Sequence, residues 1–108
     1  MSRKKGDIAE AKVALYLKKL GFKILEHNFN TKLGEIDLIT KKSDVIHFVE
    51  VKSGSNFEPI YNITPLKLSK IIKTAQIYLK QHKISLPYCI DACIVKDDEI
   101  NYLENITL

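Results

Sequence analysis

The sequence predicts an α/β domain whose elements run α-β-β-β-α-β-β. Three observations predict it. Apolar residues recur at helical spacing from Asp7 to Leu20 and again after Thr64. Between these stretches, short segments alternate strictly between apolar and polar residues, the period of a half-buried strand. The chain has 108 residues, 45% of them hydrophobic and 28% charged, which gives room and composition for one globular domain spanning 1–108. That size and composition exclude a disordered tail, a collagen-like fibre and a multidomain enzyme.

The first helix, Asp7 to Leu20, opens on Asp7 with Glu10 three residues later, the pattern of a capping box, and Gly21 stops it. Its apolar stripe is Ala9, Val13, Tyr16, Leu17 and Leu20, with Lys12, Lys18 and Lys19 elsewhere. Phe22 to Phe29 follows as a strand of β-forming residues, and Asn28, Asn30, Thr31, Lys32 and Gly34 make a turn-rich connection. Glu35 to Thr40 and Val45 to Lys52 then alternate as two strands. A two-residue loop at Ser43-Asp44 would pair Lys42 with Val45, and counting back sets Asp37 opposite Glu50 and Glu35 opposite Lys52. Opposed residues share a face, so these four ionisable groups would sit together, with Ile36, Leu38, Val49 and Val51 on the other face.

Ser53 to Ile63 reads as a loop. Thr64 is placed to cap the second helix with Pro65 in its first turn. Leu68, Ile71, Ile72, Ala75, Tyr78 and Leu79 form its apolar stripe, and Lys67, Lys70 and Lys73 lie on the far side. Tyr88 to Val95 is a buried strand, and Asp97-Asp98 turns the chain into a last short strand, Ile100 to Leu103.

The formal charge is +4, and its distribution is uneven. Residues 59–90 hold five lysines and no acid, whereas residues 91–108 hold five acids and one lysine. A basic region suits a polyanion, but the single arginine, Arg3, argues against base reading by bidentate contacts. Two cysteines, Cys89 and Cys93, are too few for a disulfide-built secreted scaffold. The basic start is followed by no apolar signal core, and no run approaches the ~20 apolar residues of a membrane span. The expectation is a cytoplasmic protein with reduced thiols.

Asp37, Glu50 and Lys52 are the candidate chemistry. Like carboxylates a few ångströms apart raise each other's pKa unless a cation neutralises them, and carboxylate oxygens are the ligands Mg²⁺ prefers. A neighbouring lysine can hold a phosphate or polarise an attacking water. The competing reading is an ion-pair ladder on a wet sheet face. Glu10 borders the apolar stripe of its helix and is read either as an acid reaching over the sheet to this site or as the capping-box partner of Asp7. Cys89, Asp91 and Cys93 share one strand face; the thiols read as buried and free rather than as zinc ligands, and Asp91 either as a buried partner for a helix lysine, the favoured reading, or as a site residue. No P-loop, dinucleotide fingerprint or nucleophile elbow occurs.

Three blocks of the sequence resemble the YraN-type family of small bacterial proteins read as endonucleases. They are Gly6-x-x-x-Glu10 with Leu17, Gly34-Glu35-Ile36-Asp37-Leu38-Ile39, and Phe48-Val49-Glu50-Val51-Lys52. Lys67-x-x-Lys70, Ala75-x-x-Tyr78-Leu79 and Asp91 also fit, so the resemblance spans the chain. That family is similar to archaeal Holliday-junction resolvases and to the PD-(D/E)xK, restriction-endonuclease-like nucleases. The resemblance implies an αβββαβ core with a mixed central sheet flanked by helices, and phosphodiester hydrolysis with Mg²⁺ or Mn²⁺ as cofactor. It also implies nucleic acid, DNA before RNA and branched DNA among the candidates, as partner, and homodimers as in the resolvase relatives. By position it makes Asp37 and Glu50 metal ligands, Lys52 the catalytic lysine and Glu10 an auxiliary acid and further metal ligand. Lys67, Lys70 and Lys73 are candidate nucleic-acid contacts. Asn30, Ser53 and Gly54 stand where the family tends to have arginines, which weakens substrate grip. The alternative is therefore a catalytically weak or inactive nucleic-acid-binding module of the same fold.

Overall fold

The computed structural model describes residues 4–54 and 63–107, with side chains described from Asp7 onward. Within them the order is α1 (Lys4–Lys19), β1 (Lys23–Thr31), β2 (Gly34–Lys42), β3 (Val45–Ser53), α2 (Pro65–Gln81), β4 (Tyr88–Lys96) and β5 (Glu99–Leu103). The five strands form one mixed sheet in the order β1-β2-β3-β4-β5. β3 and β4 are parallel and the other neighbours antiparallel. A parallel pair needs a long crossover, and α2 supplies it.

The β2–β3 hairpin shows why the register follows from local chemistry. Ser43 and Asp44 both adopt positive φ (51° and 62°), the backbone of a tight hairpin turn whose twist matches the strands. Lys42 pairs with Val45 and Leu38 with Val49, as the sequence predicts. The ladder stops there, before Asp37 and Glu50.

Alternating residues feed two cores on opposite faces of the sheet. Leu38, Val49, Cys93 and Val95 pack with Ala9, Val13, Ala14 and Leu17 of α1. Ile39, Ile46, Phe48 and Ile90 pack with Ile71, Ala75 and Tyr78 of α2. Leu17 and Phe48 are fully buried, so truncating either to alanine would cost about 2–5 kcal/mol. Ile36 departs from the simple alternation. It joins the α2 core with Phe29, its partner on β1, and not the α1 face it shares by parity with Leu38.

Three local expectations are corrected. α1 begins at Lys4, so Asp7 sits inside its first turn and is not the N-cap. Leu20 lies beyond α1 and is exposed. β1 continues through Asn28 and Asn30 to Thr31, which leaves only Lys32-Leu33 as the turn into β2. At α2 the expected cap is present: Thr64 Oγ1 accepts the Lys67 N–H at 3.2 Å, with Pro65 following. The loop expected at Ser53–Ile63 lies largely outside the described residues. No helix among the described residues is long and apolar enough to cross a membrane.

Candidate active site

An open cleft of about 630 Å³ lies where the ends of β2 and β3 meet α1 and the first turns of α2. Glu10, Asp37, Glu50 and Lys52 all line it, together with Glu35, Lys67 and Lys70. Asp37 and Glu50 reach the same space because the hairpin brings them to the end of one face. Glu10 arrives from α1 and is buried. With Asp7 inside the helix, the capping-box geometry is gone, and Glu10 instead stands within hydrogen-bonding reach of the Asp37 carboxyl.

The end of the ladder is closed by side chains. Asp37 Oδ2 accepts the Val51 N–H at 2.7 Å, and the Asp37 N–H donates in turn to the Glu50 carboxyl. Glu50 is only 5% exposed, and its Oε1 has no hydrogen-bond partner among the described residues. Burial first, and then the neighbouring Asp37 charge, push the Glu50 carboxyl up to about 8. Asp37 is raised too, chiefly by burial, against the opposing effects of the Val51 N–H and Lys52. Lys52 is half-buried and lowered, by burial and then by the Lys67 amine beside it. Native folds rarely leave a buried carboxylate oxygen unpaired, because the lost hydration costs about 1–3 kcal/mol or more.

This donor set fits a hard divalent cation. Carboxylate oxygens such as those of Asp37, Glu50 and Glu10 are the ligands Mg²⁺ and Mn²⁺ take, and Glu50 Oε1 is left without a partner among the described residues. Asp37, Glu50 and Glu10 could hold the ion. Lys52 lines the same cleft, and its charge acts on both Asp37 and Glu50.

The lysines of α2 divide. Lys67 and Lys70 line the cleft, not the far side of the helix, whereas Lys73 is exposed and outside the lining. Glu35 lines the cleft as well and pairs across β1 with Asn30. At the expected arginine positions, the Asn30 amide donates to the Asn28 carbonyl at 2.9 Å, and Ser53 and Gly54 line a separate cleft of about 200 Å³ beside Lys12 and Asp97.

Asp91 belongs elsewhere. It pairs in register with Val49, whose side chain packs under α1, so it faces away from Glu50. Its carboxylate contacts His47 Nδ1 at 2.6 Å and accepts the Asn105 N–H at 2.8 Å, the Tyr102 hydroxyl and the Cys89 thiol. Burial alone would raise it, but these hydrogen bonds outweigh burial and hold it below the usual carboxylate range. Its partner is thus a histidine and a tyrosine, not a helix lysine. Both thiols are free; Cys93 is buried and Cys89 half-exposed, and burial followed by the Asp91 charge pushes each up to about 12.

The family model described as "Uncharacterised protein family UPF0102" matches residues 9–95, which include every carboxylate and lysine of the cleft. The chain belongs to the UPF0102 family. UPF0102 proteins from several bacteria are similar to it along nearly its full length. One from Wolinella succinogenes is 62% identical over 108 residues, covering all of both chains. One from Helicobacter hepaticus is 53% identical over 107 residues, covering 99% of this chain and 97% of its own. One from Helicobacter pylori strain HPAG1 is 54% identical over 105 residues, covering 97% and 92%.

Proposed function

We propose that this UPF0102 protein is a metal-dependent endonuclease that hydrolyses phosphodiester bonds of nucleic acid, DNA before RNA, with branched DNA among the candidate substrates. One observation carries the reading: a buried carboxylate, Glu50, whose Oε1 has no partner among the described residues, beside Asp37 and Lys52 in an open cleft. The resemblance to the PD-(D/E)xK nucleases adds the reaction class.

Asp37 and Glu50, with Glu10 beside them, would hold Mg²⁺ or Mn²⁺. Such an ion lowers the pKa of a bound water and neutralises charge on the scissile phosphate. Lys52 orients that phosphate and stabilises the charge that develops on it, an effect on the order of 10²–10³ in rate. Lys67 and Lys70, on the first turns of α2, bind neighbouring phosphates and fix the register of the strand. The α2 N-terminus carries no acid in its first turn, so it adds no repulsion to an incoming polyanion. A homodimer would present two such clefts to two strands.

The test incubates the purified protein with labelled junction, flap, single-stranded DNA and RNA substrates, with and without Mn²⁺, alongside Glu50→Ala. The expected result is metal-dependent product from DNA that Glu50→Ala loses while keeping its circular dichroism spectrum. Unchanged cleavage by Glu50→Ala sinks the mechanism. Binding that needs no metal and weakens steeply with salt, with no product even in Mn²⁺, identifies a non-cleaving binding module instead.

A further inference from the structure

His47, Cys89 and Glu104 lie away from the carboxylate cleft, and the reaction proposed there makes no use of them. His47 precedes Val49 by two residues on β3 and shares its face, Cys89 pairs with His47 in the β3–β4 register, and Glu104 follows β5 directly. β5 folds back along β4 and so delivers Glu104 to the start of that strand's face. A ring nitrogen of His47, Cys89 Sγ and a Glu104 carboxylate oxygen all lie within 4.8 Å of one another. The sulfur is already 3.2 Å from His47 Nδ1.

We propose that His47, Cys89 and Glu104 form a binding site for Zn²⁺, distinct from the carboxylate cleft. The chemistry of the donors selects the ion. A thiolate and an imidazole suit zinc and disfavour Mg²⁺, which takes oxygen ligands and keeps its waters. A tetrahedral zinc with bonds of ~2.0–2.3 Å separates its ligand atoms by roughly 3.4 Å, so the three donors need only a small side-chain closure. Asp91 is fully buried and reaches the same Nδ1 at 2.6 Å, so an ion seated beside Cys89 takes that nitrogen by displacing this contact. Phe22 packs its ring edge-on against His47, with centroids 5.1 Å apart, and supplies an apolar wall. Cys89 is half-exposed and Glu104 exposed, which gives the ion a way in and leaves a fourth position for water. Binding exchanges one thiol proton, released to solvent, for one Zn–S bond, with no change of oxidation state.

The same residue types could instead make a cysteine nucleophile with a histidine base. That relay needs the thiol and the carboxylate on opposite ring nitrogens. Here both approach Nδ1.

The experiment titrates Co²⁺ into the full-length protein stripped of metal, and reads the thiolate-to-cobalt charge-transfer absorbance. One equivalent should develop the band, and Zn²⁺ should then displace the Co²⁺. Cys89→Ser should abolish the band, and Glu104→Gln should weaken affinity about tenfold or more. Cys93→Ser should titrate as the unaltered protein does, and Glu50→Ala should still develop the thiolate band. The Glu50→Ala arm keeps this site separate from the nuclease reading, since oxygen ligands give no thiolate band. Absence of the band, its persistence in Cys89→Ser, an unweakened Glu104→Gln, or Co²⁺ that Zn²⁺ does not displace would each overturn the proposal.

Discussion

Glu50 and Asp91 are both buried carboxylates on neighbouring strands of one sheet, yet their surroundings differ in kind. Asp91 is met by an imidazole, a hydroxyl, a thiol and a backbone N–H, and its carboxyl is lowered. Glu50 has one oxygen without a partner among the described residues, faces Asp37, and is raised to about 8. Burial is nearly the same, 0% exposed against 5%, so burial does not separate a structural acid from a functional one. What separates them is whether the protein itself satisfies the charge. An acid satisfied internally stabilises the fold, and one left unsatisfied is the candidate for binding a group from outside.

The sharpest way to break this contrast is to remove each acid in turn. Glu50→Ala should reduce metal-dependent cleavage by about a thousandfold or more while the melting temperature holds or rises. Asp91→Ala should destabilise by about 3–5 kcal/mol, because it strands His47 and Tyr102 without their shared acceptor. Chemical denaturation of both variants checks the pair. Equal losses of stability would erase the distinction.

Acidity tests it next, with opposite signs at the two acids. The Glu50 carboxyl is raised, so its contribution to stability is full below about 4.5 and is lost as pH rises through about 8. Glu50→Gln escapes that loss and should exceed the unaltered protein by on the order of 2–4 kcal/mol at pH 9, with the gap closing near pH 4. Added Mg²⁺ should recover part of the gap in the unaltered protein and none in Glu50→Gln. Asp91 is lowered, so its contribution is present above about 3.8 and is lost as pH falls below that. Thermal melts across this range check both signs.

Smaller effects sharpen the picture. Tyr102→Phe removes one donor from Asp91 and should cost about 1.5–3 kcal/mol, less than the loss of Asp91 itself. Lys67→Met removes the cation beside Lys52 and should raise the Lys52 pKa, read by ¹⁵N-detected titration of its side chain. Lys73→Met, outside the cleft, should leave that titration unmoved.

Most of the fold and the central acids of the cleft are legible in the sequence, because their signals are local. Ser43-Asp44 specifies a tight turn, the turn specifies the Leu38–Val49 rung, and the rung brings Asp37 and Glu50 to one end. Glu10 is legible as an acid on the core-facing edge of a helix. The surroundings of Asp91 are not, since Tyr102 and Asn105 arrive from a strand that returns along β4 and nothing near Asp91 encodes them. Lys67 and Lys70 are misjudged for a related reason. A helical wheel locates the apolar stripe of α2 but not the sheet end over which its first turns sit. Glu104 has no local signal at all, being one acid among several near the chain's end until β5 places it.

The Val51 N–H donates to the Asp37 side chain at 2.7 Å, where an uninterrupted ladder would give it a backbone carbonyl. Its proton resonance is therefore sensitive to the charge on the Asp37 carboxylate. It should move when that group titrates and again when a divalent ion settles beside it, while the amides of regular rungs stay still. The protein thus carries an internal indicator of cleft occupancy, and one nitrogen–proton correlation spectrum follows it without any substrate.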